Sequence, residues 1–181
     1  MKGPVIVTVG HSDRTLAALL ALLADGAVQG VADVRRRPFS RRHPHFDAPR
    51  LERALVEAGI AYRSFGSALG GWRGDQGEGH PGLGAQWRGY AAHMNTPVFR
   101  AGLTDMLEWA AEVGVVALLC AERDPARCHR SLIADALSCS GVTVRHGMVP
   151  GQWFVHRPHP ALRCEGEALF YDRGMSLGLW G

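Results

Sequence analysis

Short apolar runs that are typical of buried strands recur along the chain, and each is stopped by glycine or polar residues. They predict strands at residues 5–9, 30–34, 60–65, 115–119 and 142–145. The segments between them have the apolar content or spacing of helices. They predict helices at residues 15–24, 49–58, 97–113 and 129–137. Strands that alternate with helices form βαβ units, so we expect a three-layer α/β sandwich, a mostly parallel sheet covered by helices on both faces.

Two segments show no clear period. Residues 66–86 contain LGGWRGDQGEGHPGLG and are predicted to form one long loop. Loops of this length in compact domains are usually functional or disordered, and we expect this one to close over a site as a lid. From residue 150 the chain is rich in proline, glycine and aromatic residues. We therefore expect one α/β domain over residues 1–149, with a C-terminal extension over residues 150–181 packed on it.

The positive charge is concentrated in one predicted loop. The formal net charge is only +3, but five arginines fall within eight residues: Arg35, Arg36, Arg37, Arg41 and Arg42. Arginine offers forked donors that match phosphate and carboxylate. Together with the aromatic residues of RRRPFSRRHPHF, the cluster suits a nucleic-acid backbone. The alternative is a solvated, arginine-rich face without a ligand.

The cysteines and the apolar runs bear on the compartment. The chain has four cysteines and is too large and too apolar to need a disulfide framework. No apolar run approaches the length of a membrane span. The apolar segment near the N-terminus follows strand-like and polar residues instead of the basic region of a signal peptide. We therefore predict a cytoplasmic protein without a membrane partner.

Polar clusters end three of the predicted strands: Gly10-His11-Ser12, Asp33-Val34-Arg35 and Cys120-Ala121-Glu122. In open parallel sheets, ligands bind beyond the carboxyl ends of the strands, so these clusters predict a site at one edge. The amides after Gly10 begin a predicted helix and favour an anion. His11 has the reference pKa of a general acid or base, although a purely structural hydrogen bond is an equal alternative. Asp33 and Arg35 form either a ligand-presenting ion pair or a structural salt bridge.

The segment LLCAERDPARCHRSLIADAL carries the densest chemistry. Cys128 precedes a predicted helix and is flanked by Arg127, His129 and Arg130, and this setting lowers a thiol pKa. Cys128 is therefore a candidate nucleophile or redox thiol, with a small, half-buried residue as the alternative. A metal on Cys120, Cys128 and His129 is disfavoured, because adjacent helical residues diverge by roughly 100°. We predict no metal and no cofactor.

Several motifs together resemble the domain-of-unknown-function 488 family. They are GHS, DVR followed by Pro-x-Ser-Arg, LGG-x-R, Tyr90 with Met94, and LLCAE followed by CHR. The resemblance runs from about residue 7 to residue 149. It implies one domain and no settled activity. It singles out His11, Ser12, Asp33, Arg35, Ser40, Arg41, Arg73, Cys120, Glu122, Cys128, His129 and Arg130.

Three functional hypotheses follow from these residues. The preferred one is an enzyme acting on a phosphate-bearing ligand, either a nucleotide or a nucleic acid. In it Gly10, Ser12, Asp33, Ser40, Cys120 and Arg130 help to form the site, Arg35, Arg41 and Arg73 hold the anion, and His11, Glu122, Cys128 and His129 are catalytic. The alternatives are a non-catalytic nucleic-acid-binding module that uses the arginine loop, and a redox domain that uses Cys120 and Cys128 as a dithiol.

Overall fold

A six-stranded sheet forms the centre of the molecule in a computed structural model that describes residues 4–71, 73 and 79–174. Its strands are β1 (Val5–Gly10), β2 (Gly30–Asp33), β3 (Ala61–Ser64), β4 (Val115–Cys120), β5 (Val144–Val149) and β6 (Gln152–Val155). The strand order is β3-β2-β4-β1-β5-β6. Strands β1 to β5 are parallel, and only β6 pairs antiparallel, along the free edge of β5. The predicted α/β class, with a mostly parallel sheet, is confirmed.

The helices of the described residues are α1 (Leu16–Asp25), α2 (Ala48–Glu57), α3 (Gly66–Leu69), α4 (Ala85–Met94), α5 (Pro97–Val113) and α6 (His129–Cys139). Thr15 caps α1, because its hydroxyl accepts a hydrogen bond from the Ala18 amide. Asp47 precedes α2, but its carboxylate accepts from the amide of Ser40 and makes no hydrogen bond to the start of the helix.

The predicted loop over residues 66–86 is wrong in part. It contains the short helix α3 and the first two residues of α4, and α4 was not predicted as a helix at all. Glycine and histidine interrupt the apolar spacing of α4 at Gly89 and His93, so the local pattern carries little helical signal. Packing of Tyr90 and Met94 into the core stabilises this helix instead.

Side chains that alternate along the strands divide the core between the two faces of the sheet. Val116 and Leu118 face α4, α5 and α6, whereas Ala117 and Leu119 face α1 and α2. Cys120 lies on the same face of the sheet as Val116 and Leu118, the face that α6 covers. This arrangement gives the three layers of an α/β sandwich.

The C-terminal residues contribute strands that the sequence pattern did not predict. After β6 the chain forms a two-stranded hairpin, β7 (Leu162–Glu165) and β8 (Ala168–Tyr171). Tyr171 is fully buried, and its hydroxyl donates to Asp135 of α6. A disulfide joins Cys139, at the end of α6, to Cys164 of the hairpin. The sequence indicated only that the chain does not need a disulfide framework. This single disulfide forms because the hairpin folds back onto α6 and brings the two cysteines together.

Within the described residues, no helix combines the length and the apolar character that crossing a membrane requires.

Candidate functional site

A cavity of about 450 Å³ opens at the carboxyl edge of the parallel sheet. It is lined by His11, Arg35, Arg36, Arg37, Phe39, Ser40, Gly71, Gln86, Trp87, Cys120, Ala121, Glu122, Arg127, Cys128 and His129. Seven residues chosen from the sequence therefore share one cavity: His11, Arg35, Ser40, Cys120, Glu122, Cys128 and His129. They meet because strands that run in one direction end at one edge of the sheet.

The turn after β1 does not present free amides to this cavity, contrary to the predicted anion site. The amide of His11 donates to the carbonyl of Cys120 at 3.0 Å, and that of Ser12 donates to the carbonyl of Ala121 at 2.8 Å. Ser12 has a φ of 45°, the left-handed region, which turns the chain back toward β4. The first amides after Gly10 thus tie two loops together and are not available for an anion.

Arg130 strengthens the same connection. It is almost fully buried, and its Nη atoms donate to the carbonyls of Glu122 and Arg123 at 2.6 Å each. A side chain on Gly10 would lie 1.9 Å from the Glu122 carbonyl oxygen. The predicted ligand-binding residues Gly10, Ser12 and Arg130 therefore shape the loop after β4 from behind.

Asp33, Arg35 and His11 form a buried chain of hydrogen bonds. Asp33 accepts from Nε and Nη2 of Arg35 at 2.8 and 2.6 Å, and also from the Tyr62 hydroxyl. Nη1 of Arg35 donates to the Phe46 carbonyl and lies 3.2 Å from Nε2 of His11. This geometry favours the structural salt bridge over the ligand-presenting pair.

The same contacts decide the state of His11. Its Nδ1 donates to the Ser12 carbonyl at 3.0 Å, so Nε2 carries the lone pair that accepts from Arg35. Burial lowers the pKa of His11 to about 4. At neutral pH the imidazole is neutral and both ring nitrogens are hydrogen-bonded, which favours the structural alternative over the general acid or base.

A compact cluster of sulfur and nitrogen atoms forms the floor of the cavity. Sγ of Cys120 and Sγ of Cys128 each lie 3.7 Å from Nδ1 of His129. All three atoms are within 4.8 Å of one another, and all three residues are buried. Nε2 of His129 lies 3.0 Å from the Val34 carbonyl oxygen and donates to it, which orients the ring.

The backbone at Cys128 explains why neighbouring side chains converge. A 3-10 turn, Pro125–Arg127, precedes Cys128, which has the extended φ and ψ of −135° and 142° and caps α6 from outside the helix. Cys128 and His129 would diverge only if both were helical. Only His129 belongs to α6, so their side chains can face one point.

The two thiols are not equivalent. The Cys128 thiol donates to Cys120, and this hydrogen bond, with another from the Glu122 amide, holds the pKa of Cys120 well below its usual value. Burial and the neighbouring Cys120 raise the pKa of Cys128 well above its usual value. The prediction that Cys128 is the acidic thiol is therefore wrong. Cys120 takes that role, because it receives the hydrogen bonds.

The arginines around the cavity differ from those predicted. Arg73 donates to the carbonyls of Gly70 and Ser67 and braces its own loop, and Arg41 is exposed and lies outside the lining. Arg37 and Arg127 are exposed side chains of the lining. Their positions in the sequence could not identify Arg37 and Arg127 as lining residues, because which arginine faces the cavity depends on how the loops fold.

Other lining residues were missed altogether. Phe39 and Trp87 add aromatic surface, and Gly71 packs its backbone against the His129 ring. Phe39 belongs to the segment RRRPFSRRHPHF, whose aromatic residues were predicted to contact a ligand. No sequence motif indicated Trp87. The predicted lid cannot be followed through residues 72 and 74–78, which lie outside the described residues.

The family model described as "Domain of unknown function DUF488" matches residues 15–137 of the 181-residue chain. The chain belongs to this family. The DUF488 match contains β2 to β4 and most of α6, and with them Cys120, Cys128 and His129. Neither a curated protein nor a solved structure matches the chain.

Proposed function

We propose that this protein is an enzyme that acts on a small phosphate-bearing ligand of nucleotide size, with the Cys120–Cys128–His129 cluster as its reactive centre. The observation that carries the proposal is the meeting of that cluster with arginine and aromatic side chains in one cavity. Concave sites with a few convergent polar groups are the usual form of ligand pockets.

The volume and the charge of the cavity favour a compact anion. A volume of about 450 Å³ falls within the common range for small-molecule sites and admits one nucleotide, not a folded polymer. Arg37 and Arg127 are exposed lining residues. Their guanidinium groups match phosphate oxygens in geometry and charge.

The aromatic side chains favour a ligand with a flat ring. Phe39 is 68% exposed although it is a large apolar residue. Trp87 lies in the same lining. Stacking of a base on an aromatic ring contributes about 1–3 kcal/mol in proteins that bind single-stranded nucleic acids. A ligand that combines a base with a phosphate would use both parts of this lining.

Calorimetric titration of the purified protein with nucleoside 5′-monophosphates, sugar phosphates and the parent nucleosides tests the proposal. We expect a monophosphate to bind, and the nucleoside without phosphate to bind about tenfold or more weakly, since hydrogen bonds to charged groups contribute about 1.5–3 kcal/mol. Affinity should fall as salt is raised.

The double variant Arg37→Gln/Arg127→Gln should lose the difference between nucleotide and nucleoside. The matched control is Arg50→Gln, which removes an exposed arginine of α2 outside the lining. The proposal is wrong if none of the phosphate compounds binds, or if the double variant binds them as tightly as the control.

A further inference from the structure

We propose that Cys120, Cys128 and His129 bind one Zn²⁺ ion whose fourth coordination position faces the cavity. This inference deepens the proposed function and rests on it for the role of the open position. The ligand set itself stands on the geometry of three side chains.

The two distances between sulfur and nitrogen match those around a tetrahedral zinc ion. Zn–S and Zn–N bonds of about 2.3 and 2.0 Å, at a tetrahedral angle, place sulfur and nitrogen about 3.6 Å apart. Both observed Sγ–Nδ1 distances are 3.7 Å. The two sulfurs lie within 4.8 Å of each other, so the three atoms surround a position that one ion can occupy.

The tautomer of His129 is the one that a metal requires. Nε2 carries the proton, because it donates to the Val34 carbonyl oxygen. The lone pair of neutral imidazole is then on Nδ1, the atom that faces both sulfurs. Metal-binding histidines almost always donate their other N–H to a carbonyl, a carboxylate or water in this way.

Both sulfurs are available as ligands. Cys120 and Cys128 are free, buried cysteines that take no part in a disulfide. A thiol loses its proton when its sulfur binds a metal ion, so each can become a thiolate ligand. Two thiolates and one imidazole are soft and intermediate donors, which select zinc over magnesium or calcium.

Three protein ligands with one open position are the pattern of reactive zinc sites, whereas structural sites are closed by four ligands. Here all three ligands line the cavity, so a fourth ligand would enter from that side. Loading is a simple exchange: any proton still on either sulfur is released to solvent as that sulfur binds the ion. No electron is transferred, and the charges of the ion and the two thiolates cancel.

Metal analysis of the full chain tests the inference without any assay of activity. The protein should be produced with zinc supplementation and dialysed against metal-free buffer. Native mass spectrometry then measures the mass of the intact chain and any bound metal. We expect one zinc ion per chain. Replacement by Co²⁺ should give thiolate-to-cobalt charge-transfer absorption and the intense visible bands of tetrahedral cobalt.

Variants of the two cysteines test whether their sulfurs bind the ion. Cys120→Ser and Cys128→Ser should each weaken zinc binding by at least tenfold and remove the charge-transfer absorption that their sulfur contributes. The control His43→Gln removes a half-buried histidine of the arginine loop and should keep one zinc ion. If a cysteine variant does not fold, the cobalt spectrum of the unaltered protein still decides whether thiolates bind the metal.

Two results would overturn the inference: less than about a tenth of a zinc ion per chain after incubation with equimolar Zn²⁺, or a Cys120–Cys128 disulfide in freshly purified protein. The second result would support the redox hypothesis. Failure of the phosphate titrations with zinc still bound would contradict only the proposed function. Nucleotide binding by a protein that does not bind zinc would contradict only this inference.

Discussion

Arg35 and His11 are joined through Nη1 and Nε2 at 3.2 Å, so the guanidinium holds the imidazole by its only lone pair. The same Arg35 makes two hydrogen bonds to Asp33, which is fully buried. The three residues connect the ends of β1 and β2, and two of them, His11 and Arg35, line the cavity. If these hydrogen bonds are structural, their loss should lower the stability of the fold. If they are catalytic, their loss should instead lower activity.

Replacing Arg35 should destabilise the fold more than it alters chemistry. In Arg35→Gln the Asp33 carboxylate loses its partner while it stays buried, and such a loss costs about 3–5 kcal/mol of unfolding free energy. Arg35→Lys should recover little of this, because lysine cannot form the bidentate pair. Urea denaturation measures the free energy of unfolding of both variants.

The matched control for that experiment is the exposed pair Arg63–Asp105, whose side chains are 43% and 47% accessible. Arg63→Gln should change the free energy of unfolding by less than about 1 kcal/mol. Equal losses in the two glutamine variants would contradict the structural role of Arg35.

Gly71→Ala should disturb the reactive cluster specifically. A β-carbon at this position would lie 2.7 Å from Nδ1 and 2.8 Å from Cγ of His129, so the ring would have to move. We expect weaker binding of zinc or cobalt, measured by competition with a chromophoric chelator. Gly84→Ala is the control, because the atoms nearest to its β-carbon would belong to the flexible Gln86 side chain. Equal affinities in the two variants would show that the ring is not held as described.

Acid should destabilise the protein through His146. Burial lowers the pKa of His146 from 6.5 to about 4 in the folded state. The unfolded chain then binds the proton first, so stability is full above pH 6.5 and falls as the pH drops toward 4. The slope from this group approaches about 1.4 kcal/mol per pH unit.

Removal of the imidazole tests that assignment. His146 lies between the Thr8 hydroxyl and Nδ1 of His156, at 2.7 and 2.9 Å. In His146→Gln the free energy of unfolding should be lower at pH 7 but should depend less on pH between 6.5 and 4. An unchanged slope would assign the acid sensitivity to other groups, with His11 as the next in line because its pKa is also lowered to about 4.

The disulfide between Cys139 and Cys164 should stabilise the fold without affecting the cavity. It closes a loop with a sequence separation of 25, and a loop of that size corresponds to about 3 kcal/mol. Cys164→Ser should lower the free energy of unfolding by roughly that amount and make it insensitive to reductant. Zinc binding should stay as in the unaltered protein, and its loss would show that the hairpin supports the reactive cluster.

The amino-acid sequence by itself determined the parallel sheet and the edge at which the site lies. Apolar runs that end at Gly10, Asp33 and Cys120 are local signals, and the βαβ connection then brings those ends to one side. The sequence also singled out the residues of the cluster, since Cys120, Cys128 and His129 are close along the chain. Their chemistry was misjudged because the extended conformation of Cys128 follows from a turn that apolar spacing does not reveal.

Only the tertiary structure decided which partner each polar group has. Whether His11 binds a ligand or Arg35, and whether Arg130 faces the cavity or the loop behind it, depends on contacts between segments far apart in sequence. The same holds for α4 and for β6, β7 and β8. Their weak local patterns become helix and strands because core positions and the free edge of β5 are available to pair with them. Local propensity is a small free energy, and burial and edge pairing outweigh it.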